Sequence, residues 1–254
     1  MSPSPSIAYD THSNHGNSDN AVIVFEPGCL YILTRFWYYI KHRLPQRIHQ
    51  AGSQGVPETQ TLYGSLRLAR RKTPNRGFFV PNSDLKRLIT IERVIPLLQR
   101  IPPQLDDSEI DAFAETICKS APRLFSTLVY LKRGDQIVPL LKEGASDADL
   151  PFQFRDPDPQ QSGSYTLRGK SGKEISTLIN WDDQLSEDFQ SYQWWMDAPE
   201  FMEGEHHDFD DNAMLPFTHT GEIIEGGFST VRFVKIHPAH HNFSRIKQSD
   251  LEVH

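Results

Sequence analysis

Cys29 and Cys118 are the only cysteines in 254 residues. Two thiols cannot staple a small secreted scaffold, so a reducing setting inside the cell, cytoplasmic or nuclear, is expected. Lys and Arg are missing between Lys173 and Arg232, a gap that holds 14 Asp and Glu. A stretch of one sign this long repels phosphate backbones and anionic membranes, so no nucleic-acid partner is expected for this half of the chain. Long apolar runs are also absent. The most apolar segment, Cys29–Ile40 (CLYILTRFWYYI), contains Arg35 and is far shorter than the roughly 20 residues that cross a bilayer core, so no transmembrane segment is expected. No internal repeat is visible, which excludes a solenoid. Apolar residues reach only 37%, but aromatics make up 11%, too many for a wholly disordered chain.

The net charge of −7 hides an asymmetry. Residues 1–100 carry 13 Lys and Arg against 6 Asp and Glu, and the remainder carries 13 against 27. Residues 1–20, rich in Ser, Pro, Asn and Asp, read as a disordered tail. The segment 29–47 reads as a buried helix, with a membrane-surface adaptor as a weaker rival because Trp37, Tyr38 and Tyr39 precede Lys41, Arg43 and Arg47. Arg67, Arg70, Arg71, Lys72 and Arg76 sit beside Tyr63, Phe78 and Phe79. Basic and aromatic residues interleaved in this way suit a nucleic-acid patch, but a solvated face is the simpler reading.

From 81 to 144 the pattern predicts consecutive helices. Asn82 is a candidate cap for the first, with Leu85, Leu88 and Ile89 on one face, and Thr90 caps the next, in which Pro96 predicts a kink or break. Asp106 followed by Glu109 is a capping-box pattern ahead of Ile110, Phe113, Ala114 and Ile117. Pro122 opens a further helix carrying Leu124, Phe125, Leu128, Val129 and Leu131, with Gly134 as its left-handed stop. Asp135 then caps a short helix that ends at Gly144. Residues 145–173 read as loop, and Trp181–Met196 as one or two amphipathic turns anchored by Leu185, Phe189, Tyr192, Trp194, Trp195 and Met196. Burial against the helices is the default for that aromatic patch, and a protein partner docking on Trp194 and Trp195 is the alternative.

Two groups carry metal-type ligands without fixed ligand spacing: Glu205, His206, His207, Asp208, Asp210 and Asp211, and then His237, His240 and His241. Neither is read as a metal site. The clearest motif is Ile223-Ile224-Glu225-Gly226-Gly227-Phe228-Ser229-Thr230-Val231, two strand-forming runs around a glycine-containing turn. A β-hairpin of this kind can lay backbone N–H groups over phosphates. The kinase pattern G-x-G-x-x-G-x-V overlays it with Val231 as anchor and Gly226 as second glycine. Ser229 takes the third glycine position and Ile224 the first.

The chain resembles the protein kinase-like proteins of filamentous fungi, in which a helical N-terminal region precedes the kinase fold. The resemblance rests on GFFVPNSDLKRLIT (77–90), APRLFSTLVYLKRGDQIVPLLKEGASDADLPF (121–152), FQSYQWWMDAPEF (189–201) and LPFTHTGEIIEGGFSTVRFVKIHPAHHNF (215–243). It implies a Ser/Thr-type protein kinase parent using ATP and Mg, with Ile224, Glu225, Gly226, Gly227, Phe228, Ser229, Thr230 and Val231 as the nucleotide-covering residues. Phosphoryl transfer needs a lysine on the third strand, a catalytic-loop aspartate and a metal-holding aspartate. No H-R-D or D-F-G tripeptide occurs, and Asp208-Phe209-Asp210 precedes the hairpin. The expectation is therefore a mainly α chain with an incomplete kinase N-lobe, a truncated or remnant kinase that is not catalytically competent by itself. Its parts would be a tail (1–20), a helical region (21–155), an acidic aromatic-containing linker or helical segment (156–214) and the lobe start (215–254). The alternative is a non-enzymatic helical interaction module.

Overall fold

The computed structural model describes residues 6–7, 20–25, 61–74, 77–154, 167–170, 172–203, 207–225 and 230–243. The segment 29–47 thus lies outside the described residues. Among them are eight α-helices: α1 Leu62–Ala69, α2 Asn82–Leu88, α3 Ile91–Leu98, α4 Asp107–Ser120, α5 Pro122–Tyr130, α6 Ile137–Lys142, α7 Ser176–Ile179 and α8 Asp183–Met196. The strands are β1 Ser6–Ile7, β2 Asn20–Phe25, β3 Arg71–Lys72, β4 Phe78–Phe79, β5 Gln153–Phe154, β6 Leu167–Arg168, β7 Phe217–Glu225 and β8 Thr230–Ile236. They form a four-stranded sheet in the order β1-β2-β8-β7 and two small pairs, β3-β4 and β5-β6. A mainly helical chain with a hairpin at 217–236 is observed; a kinase fold is not. No helix among the described residues is long and apolar enough to cross a membrane.

The chain divides into two compact units, one of residues 55–71 and 78–198, the other of 1–54, 72–77 and 199–254. The helical unit is organised around α5. Every residue of α5 from Leu124 to Tyr130 is buried, and α1, α2, α4, α6 and α8 pack against it. A helix buried on every face must dispose of its polar groups locally. Ser126 and Thr127 do so by donating their hydroxyls to the carbonyls of Pro122 and Arg123, at 2.7 and 2.9 Å. The Asp147 carboxylate accepts from the first free N–H groups of the helix, those of Arg123 and Leu124, at 3.0 and 2.9 Å.

Several local expectations hold. Asp106 and Glu109 form the reciprocal capping box on α4; Ile110, Ala114 and Ile117 are its buried stripe; Pro122 opens α5; Gly144 ends α6 with φ +72°. Others are corrected. Pro81, not Asn82, is the cap position of α2, and Asn82 is its first residue. Helix α3 runs through Pro96 without breaking; the hydrogen bond that proline removes would have ended on the carbonyl of exposed Glu92, where water can replace it. The left-handed stop of α5 is Lys132, with φ 60°, and not Gly134. The bonds Arg133 N–H to Leu128 O (2.8 Å) and Lys132 N–H to Val129 O (3.0 Å) close the end of the helix there. The strained backbone places the Lys132 ammonium 5.0 Å from the centre of the Tyr63 ring, a cation–π contact that offsets part of the strain. Gly134 instead begins a 3₁₀ turn, Gly134–Gln136, that leads into α6.

The stretch read as one or two turns is the fourteen-residue helix α8, capped by Asp182, whose carboxylate accepts from Leu185 N–H at 2.7 Å. It lies in the core. Phe189 stacks on Phe152 and meets Trp181 at a tilt, with ring centres 5.2 Å apart in both cases. Gln193, fully buried, clamps the Phe152 backbone from both sides, accepting its N–H and donating to its carbonyl at 2.7 Å each.

In the second unit the sheet covers a smaller core of Phe201, Phe217, Val234 and Ile236, with Phe209, Leu215 and Phe243 packed against it. Gly77 is closely packed, and any side chain there would push the Met214 side chain aside. A Cβ there would sit 2.3 Å from the Met214 sulfur, and the Gly77 backbone forms a tight ring with Thr73 through bonds of 3.0 and 3.1 Å.

Gln193→Leu keeps the volume of the side chain but strands the buried N–H and C=O of Phe152. The unfolding free energy from urea titration is expected to fall by about 3 kcal/mol. A second outcome concerns alkaline stability. Burial pushes the Tyr130 phenol up to about 12, against the partly opposing pull of Arg70. An unfolded tyrosine ionises near 10; between about 10 and 12 the unfolded chain has released a proton that the folded one keeps, so stability falls as pH rises through that window. In Tyr130→Phe the decline between pH 10 and pH 12, followed by denaturant melts, is expected to be shallower than in the parent.

Candidate functional site

The hairpin expected at 223–231 forms as two long antiparallel strands. Ile224 pairs with Val231 and Glu225 with Thr230, directly flanking the four-residue connection. The connection, Gly226, Gly227, Phe228 and Ser229, lies outside the described residues, so of the eight candidate nucleotide-covering positions the structure places four, by backbone register. Further from the tip the register shifts twice, between Phe217 and His219 and between Thr220 and Ile223. Irregularities of this kind bend and twist a strand locally. Gly221 sits in the second of them. A Cβ there would meet Phe233 at 3.3 Å.

The base of the hairpin is fastened by the segment that follows it. His237 N–H donates to Pro216 O at 2.9 Å, joining the exit of β8 to the entry of β7. Pro238–His240 then forms a 3₁₀ turn, with the His237 Nδ1 accepting from Ala239 N–H at 3.2 Å. His240 is fully buried. Its Nδ1 lies 2.9 Å from the Pro199 carbonyl, so that nitrogen carries the proton and donates. The His240 carbonyl accepts from Phe201 N–H at 2.8 Å, Phe201 O accepts from Asn242 N–H at 3.2 Å, and the Asn242 side chain accepts from Glu203 N–H at 2.8 Å. Phe201, stitched in parallel to His241, brings its ring to 6.1 Å from Phe217. Two of the three histidines weighed in the sequence, His237 and His240, therefore serve as a fastener. The signal for this was Pro238, which turns the chain immediately after the strand.

The acidic histidine run resolves in the same way. His207 Nε2 accepts from Met202 N–H at 3.2 Å, and its ring stacks on Phe209. Asp210 accepts from both Asn212 N–H and the Asn212 side chain. Asp208-Phe209-Asp210 thus leads into a turn closed by Ala213 N–H on the Asp210 carbonyl at 2.9 Å, and its phenylalanine packs on Phe201 at 5.4 Å. Glu205 and His206 lie outside the described residues, and no group of three or more His, Cys, Asp or Glu among the described ones is arranged to hold a metal.

Elsewhere the candidate groups are committed to packing. Trp194 is buried. Trp195 is half-buried, 4.7 Å from Tyr192 and 5.5 Å from Tyr130 between ring centres. Arg70 donates to the Tyr130 hydroxyl at 2.7 Å and lies 4.7 Å over Phe78. Arg71 faces Asp84 at 3.4 Å, Phe79 is fully buried, and Arg76 is outside the described residues. Of the basic cluster, Arg70 thus lies against aromatic rings and Arg71 in an ion pair, while Arg67 and Lys72 are exposed. Sequence reasoning missed one buried charge group. Burial holds the Asp147 carboxyl above the ordinary range against its two N–H donors. Burial also raises Asp197, against the pull of Arg123 at 2.9 Å. Both carboxylates have structural partners, one at a helix N-terminus and the other on an arginine.

His240→Ala removes the Pro199 contact and leaves a cavity beneath the hairpin. It is expected to cost about 2 kcal/mol, and hydrogen exchange should show the amides of Phe201 and Asn242 losing protection together. In comparisons with family models, with curated proteins and with solved structures, the chain matches none.

Proposed function

We propose that this chain is the N-terminal portion of a protein Ser/Thr kinase-like protein, with a helical accessory unit ahead of the hairpin that begins a nucleotide-binding lobe. The observation that carries this is the hairpin itself: β7 and β8 are joined by only the four residues Gly226–Ser229, and their antiparallel register holds up to Glu225 and Thr230. In the sequence the glycine pair falls between these two strands, and a hairpin of that kind can lay backbone N–H groups over phosphates. The fastener at 237–242 supports the same role by fixing the base from which such an arm would be aimed. ATP and Mg are the ligands such a lobe would take.

By itself the chain is proposed to be non-catalytic. An arm without the strand lysine, the catalytic aspartate and the metal-holding aspartate neither neutralises nor orients a triphosphate, and the sequence contains no H-R-D and no D-F-G. The interaction-module alternative relied on Trp194 and Trp195, and gains no support from a tryptophan buried in the helical core.

Two measurements test the proposal. Sequencing of the transcript downstream of the His254 codon is expected to show an in-frame lysine-bearing strand, H-R-D and D-F-G; a transcript without them would sink the reading as the first part of a longer kinase and leave a remnant. Thermal unfolding of the chain with 1 mM Mg-ATP is expected to shift by less than about 1 °C, as for a ligand far below its dissociation constant. A clear stabilisation would overturn the expectation that the chain alone does not hold nucleotide tightly.

A further inference from the structure

Strand β8 has neighbours on both sides, β7 and β2, and they are held by different means. Strand β7 is tied to β8 by a four-residue connection, which fixes its register through the turn. Nearly the whole chain separates β2 from β8, so no turn aligns them. Yet the β2–β8 ladder is the more regular of the two. Asn20, Ala21, Val22, Ile23, Val24 and Phe25 pair residue for residue with Lys235, Val234, Phe233, Arg232, Val231 and Thr230. The β7–β8 ladder carries two register shifts. Among the described residues, β2 meets on its far side the two-residue β1, through Ser6–Val24 and Ile7–Ile23.

A strand aligned without a turn is aligned by the pairing itself. Its sequence, Ala-Val-Ile-Val-Phe after Asn20, is β-branched and aromatic, the composition that favours strands with neighbours on both sides. Without it, β8 would present a row of unpaired N–H and C=O groups, which is a template for adding a strand. We infer that this edge of β8 is a strand-acceptor site, specific for a short, extended, apolar segment running antiparallel, and that the chain fills it in cis with its own residues 20–25. This is β-strand addition performed within one molecule, in which the main chain supplies the affinity. It does not depend on whether the hairpin meets nucleotide.

The ladder geometry supplies a signature. In an antiparallel pair successive residues turn their N–H groups to opposite sides, so of Ile23 and Val24 one donates to β8 and the other does not. Ile23→Pro and Val24→Pro, each in the full chain, are therefore expected to differ. One should raise hydrogen exchange in Val231–Ile236 at least tenfold, and the other by much less. A synthetic peptide containing Asn-Ala-Val-Ile-Val-Phe, flanked by lysines for solubility, should restore protection in the disrupted variant saturably, and a proline-bearing copy should not. In a second measurement, a protease site placed at 27–28 is cut after folding, and the released segment is expected to co-elute with the remainder in gel filtration. Exchange unchanged in both variants, protection lost in both and not restored by the peptide, or separation of the cut segment would each overturn the inference. A dimer that grows with concentration would overturn filling in cis, because it would place the strand of a second copy on the edge.

Discussion

Everything in the helical unit follows from one helix that has no exposed face. Because α5 is buried from Leu124 to Tyr130, no orientation lets it keep one side in water. Five other helices are obliged to surround it. The same burial dictates where polar atoms go. Ser126 and Thr127 turn back on their own helix, Asp147 occupies the positive end, and the last turn closes on a strained lysine because the chain must leave at once for the next element. Gln193 extends the pattern outward, since a backbone segment as deep as Phe152 needs partners for both its groups and only a neighbouring helix can provide them.

The sheet-bearing unit is built on a different economy. Its core is small and aromatic, centred on Phe201 and Phe217, and polar bonds supplement it at the base of the hairpin. His240, Asn242 and the Phe201 backbone form a continuous run of donors and acceptors. Buried networks of this sort specify one arrangement because a half-made version leaves polar groups stranded. The arm is thus held firmly at one end, while the register shifts in β7 lie between that anchor and the glycine pair.

Local features were the most legible in the sequence. The Asp106–Glu109 box, Pro122 and Gly144 act within a turn of themselves, and each sits where its chemistry places it. Errors arose wherever a distant partner decided the outcome. Lys132, not Gly134, is the stop, and its ammonium meets the Tyr63 ring of another helix, a contact that no local pattern reveals. Helix α8 read as shorter than it is because Gln193 and Ser186 face inward and blur its apolar stripe. Of the candidate site, the two strands were legible from residue type and the glycine turn. The fastener was not, because its histidines look alike in sequence and only burial distinguishes His240. Nor did anything local in Asn20–Phe25 indicate that it would be paired with the far end of the chain.

That long-range pairing has a consequence for how the protein is made. Synthesis delivers β2 at the start and β8 only after the entire helical unit has emerged. At elongation rates of 5–20 residues per second, the first strand waits roughly 10–40 s for its partner. Helices with local contacts fold in far less time, so the helical unit is complete while an apolar strand still hangs unpaired from the nascent chain. During that interval Ala21–Phe25 is an unpaired apolar strand, the kind of segment that a holdase chaperone binds.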